Sequence, residues 1–525
     1  MLDFLNGTLC SVLLLGFLLS CGIEALLIPR PALRRPVRSW LLHAGAWLFA
    51  VALLYAMTGR PFFSAVNVLA LWLLIVLVSN SKYHSLREPF VCADFEYFSD
   101  ALRYPRLYLP FFGIGKAIGL ALGFIAYLGC GLYFEPAAEA ALPVAAVVML
   151  GALLLLIGGG LKPLQPSYDA SLDLTRWGLA ACLWTYFCAA RRKVQIDDLR
   201  SPFALQPFAI NPGEVQSPSI DVLPDLVSVQ SESFFDIRPL WPGIREQVLS
   251  HYDVLRAEAL AHGPLQVAAW GANTVRTEFA FLSGIAGDKL GVHRFNPYRH
   301  LARQGLPSIA SEMKRKGYRT VCIHPYIGSF YGRDQVLPAL GFDEFIDIRS
   351  FDDSQKAGPF IGDCAVAEKI IERLAESSRT QPLYIHAVTM ENHGPLHLEK
   401  VSADELPSWF DRPLLDGLRD LGPYVRHLSN ADRMLGRLRQ HLLAQANPVG
   451  LCFFGDHVPI LPEVYAALGA PDGDTHYLIW SNQARTSSAP RAMGVEQLAK
   501  AFVEQVSRGK SPVKHLRQAQ TELHD

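Results

Sequence analysis

The sequence predicts an α-helical transmembrane anchor followed by an α/β domain with a largely parallel central sheet. Three observations predict it. Apolar residues make up 50% of the 525-residue chain and gather in its first third. Beyond residue 200 the apolar runs shorten to strand length and alternate with helix-like stretches. Four of the strand-like runs end on acids or histidines, at what a parallel sheet makes one common edge.

The anchor comes first in the chain. Mean hydropathy of +0.18 is high for a purely water-soluble domain. Segments 9–28, 40–57, 62–79, 111–134 and 141–160 are each apolar over the roughly 20 residues that a helix needs to cross a bilayer. The first lacks a basic start and a small-residue cleavage site, so it reads as an anchor and not as a removed leader. Segment 177–190 is shorter and either crosses or lies in the interface. Arg30, Arg34, Arg35 and Arg38 follow the first span, and Lys82, Arg87, Arg103 and Arg106 follow the third. Both loops therefore read as cytoplasmic. With six crossings the C-terminal part lies outside, although Arg191, Arg192 and Lys193 then fall on the unfavoured side. The expected plan is a membrane domain of five or six helices over 1–193, a linker over 194–224, an extracytoplasmic catalytic domain over 225–510 and a tail over 511–525. A bacterial cytoplasmic membrane, with the catalytic domain in the periplasm, is the expected place.

Net charge and cysteines exclude other classes. A formal charge of -1 without a long basic run gives nucleic acid nothing to bind. Of nine cysteines, six fall in or near the anchor, and Cys322, Cys364 and Cys452 show neither CxxC nor metal-ligand spacing.

The second part begins after 201–225, where repeated proline prevents a helix and predicts an extended linker. Strands are expected at 226–230, 318–323, 382–389, 450–455 and 477–480. Ligands of such sheets bind beyond the carboxyl ends of the strands. There the first run meets Ser231-Glu232-Ser233, the second His324, the third Glu391-Asn392-His393 and the fourth Asp456-His457.

Glu232, Asp456 and His457 combine hard oxygen donors with an imidazole, a set suited to Mn or Mg and less selectively to Zn. Thr274, in NTVRTEF, is the candidate nucleophile, because metal coordination lowers the pKa of a hydroxyl. Its position at an expected helix start also suits a helix N-cap, and one residue can serve both roles. Each of the others has a bland reading: Asp456 and His457 as a turn, His393 as a loop histidine, His324 as a strand cap, Arg333 as a surface residue. His476 reads as a strand-edge histidine.

The motifs SVQSESF, NTVRTEF, HPYIGSFYGRD, TMENHGPL and FFGDH, in this order over residues 220–485, resemble the lipoteichoic acid synthase family and its phosphoglycerol transferase relatives. Those are membrane-anchored members of the alkaline phosphatase and sulfatase superfamily. The resemblance implies an alkaline phosphatase/sulfatase-like fold, with one Mn-type ion held by Glu232, Thr274, Asp456 and His457 and with Thr274 as nucleophile. It also implies substrate contacts from Arg333, His393, His324, Tyr331 and Asn392. Tyr326 and Tyr331 stand where the family pattern has an aspartate and a tryptophan, which puts the edge of the pocket, and with it the acceptor or head group, in question.

The implied reaction moves glycerol phosphate from phosphatidylglycerol to a glycan or polymer acceptor through a phospho-threonine, with His393 as acid and base. Phosphoethanolamine transfer, ester hydrolysis and a non-catalytic membrane scaffold are the alternatives. A sulfatase that makes its nucleophile from Cys-x-Pro-x-Arg is not among them, since the chain lacks that segment.

Overall fold

The computed structural model describes residues 7–96, 114–139, 141–161, 164–192, 194–204, 223–483 and 488–508. Arg103, Arg106, Lys193, most of the expected linker and the expected tail lie outside the described residues. The chain divides into two compact units, Met1–Lys193 and Val194–Asp525.

Among the described residues the first unit is helical: α1 Gly7–Glu24, α2 Val37–Thr58, α3 Pro61–Leu86, α4 Ile114–Phe134, α5 Ala141–Gly160, α6 Ala170–Trp177 and α7 Leu179–Ala190. Among the described residues α1, α2, α3 and α5 are long and apolar enough to cross a membrane, and α4 contains a shorter apolar stretch, Leu122–Phe134. Leu14, Leu18, Leu74, Leu150 and Leu154 are each more than half exposed, as a lipid-facing surface requires. Between α2 and α5 the backbones approach closely: a Cβ on Gly45 would lie 3.1 Å from the Ala152 carbonyl oxygen.

The sixth apolar segment is broken at Gly178, whose φ is 79°. Beyond the break α7 has only 12 residues, which at 1.5 Å per residue reaches about 18 Å, less than the roughly 30 Å of hydrocarbon. Its start is held from α1: Leu179 N donates to Glu24 Oε1 at 2.8 Å. Glu24 also pairs with Arg35 at 2.6 Å and faces His43 Nδ1 at 3.3 Å. A carboxylate in this setting persists because it is paired and bonded.

The second unit is built on an eight-stranded sheet of order β10-β2-β9-β8-β1-β7-β3-β4. Its strands are β1 Asp225–Ser231, β2 Ala261–Gln266, β3 Arg319–Ile323, β4 Glu344–Ile346, β7 Leu383–Val388, β8 Val449–Gly455, β9 Thr475–Ser481 and β10 Met493–Gly494. β5 Lys356–Ala357 and β6 Phe360–Ile361 form a separate small hairpin. The central block β8-β1-β7-β3-β4 is parallel throughout, and β9 runs antiparallel to both β8 and β2.

β1, β7 and β8 are buried along their whole length, which is why they read as nearly continuous apolar runs. Helices cover both faces, and two hydrophobic cores fill the layers. Leu199 and Phe203, from the start of the expected linker, are buried in one of them.

Register brings the ends of the central strands level. Ser231 pairs with Gly455, Gln230 with Val388 and Ile323 with Ala387. Glu232, Asp456, Thr389 and His324 therefore emerge at one edge.

Candidate metal centre and active site

At that edge Glu232, Asp456 and His457 are all buried, and one ligand atom from each lies within 4.8 Å of the others. His457 Nε2 stands 3.4 Å from Glu232 Oε1 and 3.4 Å from Asp456 Oδ2. The loop after β1 sets the spacing. Ser233 adopts φ 53°, which aims its N–H at Asp456 Oδ1 (2.8 Å) while its hydroxyl donates to Glu232 Oε1 (2.9 Å). Gly455 lets the two loops approach: a Cβ at that position would sit 2.0 Å from the Phe234 carbonyl oxygen.

Thr274 completes the group. Its hydroxyl donates to Glu232 Oε2 at 3.3 Å. The helix Thr274–Ser283 begins at this residue, and Asn273 takes the N-cap position with φ 68° and no side-chain capping bond. Thr274 is thus the first residue of the helix and not its cap, so its oxygen is free of capping duty. A turn further on, Thr277 donates to the Asp456 carbonyl oxygen at 2.8 Å, which binds the helix to the ligand loop.

Electrostatics favour a cation here. Burial and the neighbouring Glu232 carboxylate push Asp456 upward, against the opposing pull of His457. Burial alone would lower His457, but Asp456 and Glu232 outweigh it and raise the imidazole. Asp456 Oδ2 is buried with no hydrogen-bond partner. A buried orphan oxygen beside a second carboxylate is costly unless positive charge joins it. Two carboxylates, an imidazole and a hydroxyl fit a divalent cation with positions left open.

The remaining expected residues lie on neighbouring elements. His324 follows β3, is buried, and donates from Nδ1 to the Val388 carbonyl oxygen at 3.0 Å. Burial and Arg333 push it down to about 3, so the ring is neutral and Nε2, which has no partner, is a bare acceptor. His393 is half-buried, and its Nδ1 bonds the Gly394 carbonyl oxygen at 2.8 Å, so in the neutral ring Nε2 carries the lone pair. Asn392 is buried with Oδ1 unpartnered.

Arg333 is not a surface residue: its side chain is 1% exposed. Nε and Nη2 bind Glu278, the latter at 2.7 Å, and Tyr298 OH donates to the same carboxylate at 2.6 Å. Burial would raise Glu278, yet Arg333 holds it below its ordinary value. Tyr331, at φ 57°, places its ring 5.4 Å from the Arg333 guanidinium carbon. His476 lies within β9, at its start, and faces the Phe235 ring, apart from the ligand group.

Sequence reading missed a second buried cluster behind the loop that carries His393. His427 Nδ1 donates to Glu391 Oε1 at 2.8 Å, and Nε2 lies 3.0 Å from Glu399 Oε2. Asn430 also binds Glu391, and Asp363 N donates to Glu391 Oε2 at 2.7 Å. Burial would lower His427, but the bonds to Glu391 and Glu399 raise it to about 9. Thr389 links the two regions by accepting from Glu232 N at 3.0 Å.

The Sulfatase family pattern matches residues 224–507. The chain belongs to the Sulfatase family. This sulfatase-family chain is also similar to the capsular polysaccharide biosynthesis protein RkpI of Rhizobium meliloti (strain 1021), 26% identical over 449 residues, covering 81% of this chain and 78% of that protein. It is similar to lipoteichoic acid synthase 1 of Bacillus subtilis (strain 168), 32% identical over 102 residues, 19% of this chain and 15% of that one. Among solved structures, the Streptococcus pyogenes phosphoglycerol transferase GacH in complex with sn-glycerol-1-phosphate aligns at a TM-score of 0.45 and 20% identity, over 54% of this chain and 74% of that chain.

Proposed function

We propose that this chain is a membrane-anchored phosphoglycerol transferase, moving glycerol phosphate from phosphatidylglycerol to an envelope glycan or polymer by way of a phosphorylated Thr274. The observation that carries the reading is the Thr274 hydroxyl, held 3.3 Å from Glu232 at the head of a helix and beside Asp456 and His457. The ordered motif resemblance supports it, as does the local likeness to lipoteichoic acid synthase 1. The catalytic unit belongs on the periplasmic side of a bacterial cytoplasmic membrane, where the helices keep it near its lipid donor.

Glu232, Thr274, Asp456 and His457 would hold the cation, with Mn the best match and Mg or Zn the alternatives. When bound, the cation lowers the pKa of the hydroxyl and offsets charge on the phosphoryl oxygens. Thr274 Oγ forms a bond to phosphorus, the bond to the diacylglycerol oxygen breaks, and His393 gives that oxygen a proton. In the second half an acceptor hydroxyl forms the new bond to phosphorus, Thr274 Oγ is released, and His393 Nε2 takes the acceptor's proton. The dipole of the helix Thr274–Ser283 favours the anionic group at its N-terminus. Arg333 would contact the phosphoglycerol group through Nη1, since Nε and Nη2 are held by Glu278. His324 Nε2, a buried acceptor with no protein donor, is suited to a hydroxyl of the glycerol head.

Mass spectrometry of the full-length protein after incubation with phosphatidylglycerol vesicles and Mn tests this. A glycerol phosphate ester on Thr274 is expected. A phosphoethanolamine ester formed from mixed vesicles would replace the donor, and no adduct on a turning-over enzyme would remove Thr274 as nucleophile.

A further inference from the structure

Helix α7 runs into a cationic stretch, Arg191-Arg192-Lys193, and the residue after it opens the second unit. On the periplasmic side, where the reading above places that unit, lysine and arginine are depleted beside membrane helices. The stretch therefore calls for a reason. Arg191 is engaged within the chain, its guanidinium carbon 4.4 Å from the centre of the Phe187 ring. Arg192 is exposed and pairs with no carboxylate among the described residues.

Arg192 lines a cavity of about 190 Å³ in the helical unit, together with Leu42 of α2, Gly160 of α5, Tyr168, Trp184 and Cys188. No acid is among its lining residues. Glycine makes the room: a Cβ on Gly160 would lie 3.2 Å from Trp184 Nε1, so the indole N–H sits over that backbone. This N–H has no acceptor among the described residues. Asp173, behind Tyr168, is turned inward, where its oxygens accept from Ser167 Oγ at 2.8 Å, Tyr168 N at 3.1 Å and Tyr186 OH at 2.8 Å. The cavity thus offers a guanidinium and an indole donor to an anion.

Its surroundings select a lipid. Trp184 and Phe187 are 38% and 39% exposed, as aromatic residues at headgroup depth are. Leu150, Leu154, Ile157 and Leu161 recur at intervals of four, three and four, which puts them on one helical face, and each is more than half exposed. That apolar stripe leads away from the cavity along the path of an acyl chain. A volume of about 190 Å³ falls below the roughly 300–1,000 Å³ that enclose a whole small ligand. It suits a headgroup whose chains stay outside.

We propose that this cavity binds the phosphate of an anionic phospholipid of the outer leaflet, with Arg192 and Trp184 Nε1 as donors, and holds it in reserve for the site at Thr274. No bond is made or broken here; the lipid leaves as it came. The supply role rests on the transferase reading above, whereas the binding site does not.

The test is native mass spectrometry of the full-length protein released from vesicles that contain phosphatidylglycerol and phosphatidylcholine in equal amounts. Wild type should retain phosphatidylglycerol in preference. Arg192→Ser should lower that retention about tenfold, as expected for the loss of a charge-assisted hydrogen bond. Arg192→Lys should recover part of it, and Trp184→Phe, which keeps a ring and removes the N–H, should lower it by a smaller factor. Unchanged retention in Arg192→Ser, equal retention of the two lipids, or displacement by free sn-glycerol phosphate overturns the lipid site. In vesicles Arg192→Ser should also raise the KM for phosphatidylglycerol about tenfold at unchanged kcat; an unchanged KM alongside lost retention overturns the supply role. A wild-type protein that retains phosphatidylglycerol yet forms no Thr274 adduct removes the transferase reading and leaves the lipid site standing.

Discussion

Two buried acid-and-histidine clusters lie behind the same sheet edge, and they are built from the same residue types to opposite effect. Around His427 both ring nitrogens meet carboxylates at 2.8 and 3.0 Å, and both oxygens of Glu391 accept hydrogen bonds. Around His457 the carboxylates come no nearer than 3.4 Å, and Asp456 Oδ2 has no hydrogen bond. The difference teaches how to tell a brace from a cradle. His427 and Glu391 bond each other closely and hold their loops together, while Glu399 Oε1 and Asp363 Oδ1 beside them keep a free lone pair; around His457 the groups stand apart, braced from behind by Ser233 and Thr277, and are preorganised for a cation.

Substitutions can break this contrast. The largest effect is expected at Thr274, where alanine removes the proposed nucleophile and should lower transfer at least about 10⁴-fold. The melting temperature should stay near wild type; a comparable loss of stability would make the residue structural. Next comes the brace. His427→Gln leaves Glu391 and Glu399 without their shared cation, and should cost about 3–5 kcal/mol, read by thermal unfolding. Metal-dependent stabilisation should survive in that variant.

The pH dependence sharpens the same point. His427 is raised from 6.5 to about 9 in the folded protein, so its contribution is complete below the unfolded value of 6.5. It is lost as pH rises through about 9. The melting temperature of wild type should fall across that window more steeply than that of His427→Gln; parallel slopes would refute the assignment.

The cradle predicts the reverse pattern. Mn at a hundredfold excess over its Kd should stabilise wild type by about 2.7 kcal/mol, and Glu232→Ala should abolish the shift. His393→Ala, with the smallest change to the fold, should slow transfer about a hundredfold while the Mn-dependent stabilisation persists. Loss of that stabilisation would mark His393 as a ligand.

Much of this was legible because β1, β7 and β8 are buried on both faces and so read as apolar runs with chemistry at their carboxyl ends. β2 was not: Ala261–Gln266 contains Gly263 and Pro264, which argue against a strand, yet it pairs antiparallel with β9. The cap reading of Thr274 yields to Asn273, which takes the N-cap position in the left-handed region and leaves Thr274 as the first helical residue. Glu278 sits inside an apolar run that reads as helix core, so its pairing with Arg333 needed tertiary structure to appear. His427 belongs to a long amphipathic helix, Leu421–Leu443, where one histidine among many polar residues gives no sign of its partners.

The tight meeting of Gly455 with the Phe234 carbonyl has a consequence for which ions the protein accepts. Because the two main chains touch, the arms bearing residues 232 and 456 have no slack with which to close around a smaller ion or spread for a larger one. Discrimination by radius would then be a property of the backbone, and exchanging donor side chains would alter how tightly an ion is gripped more than which size is admitted.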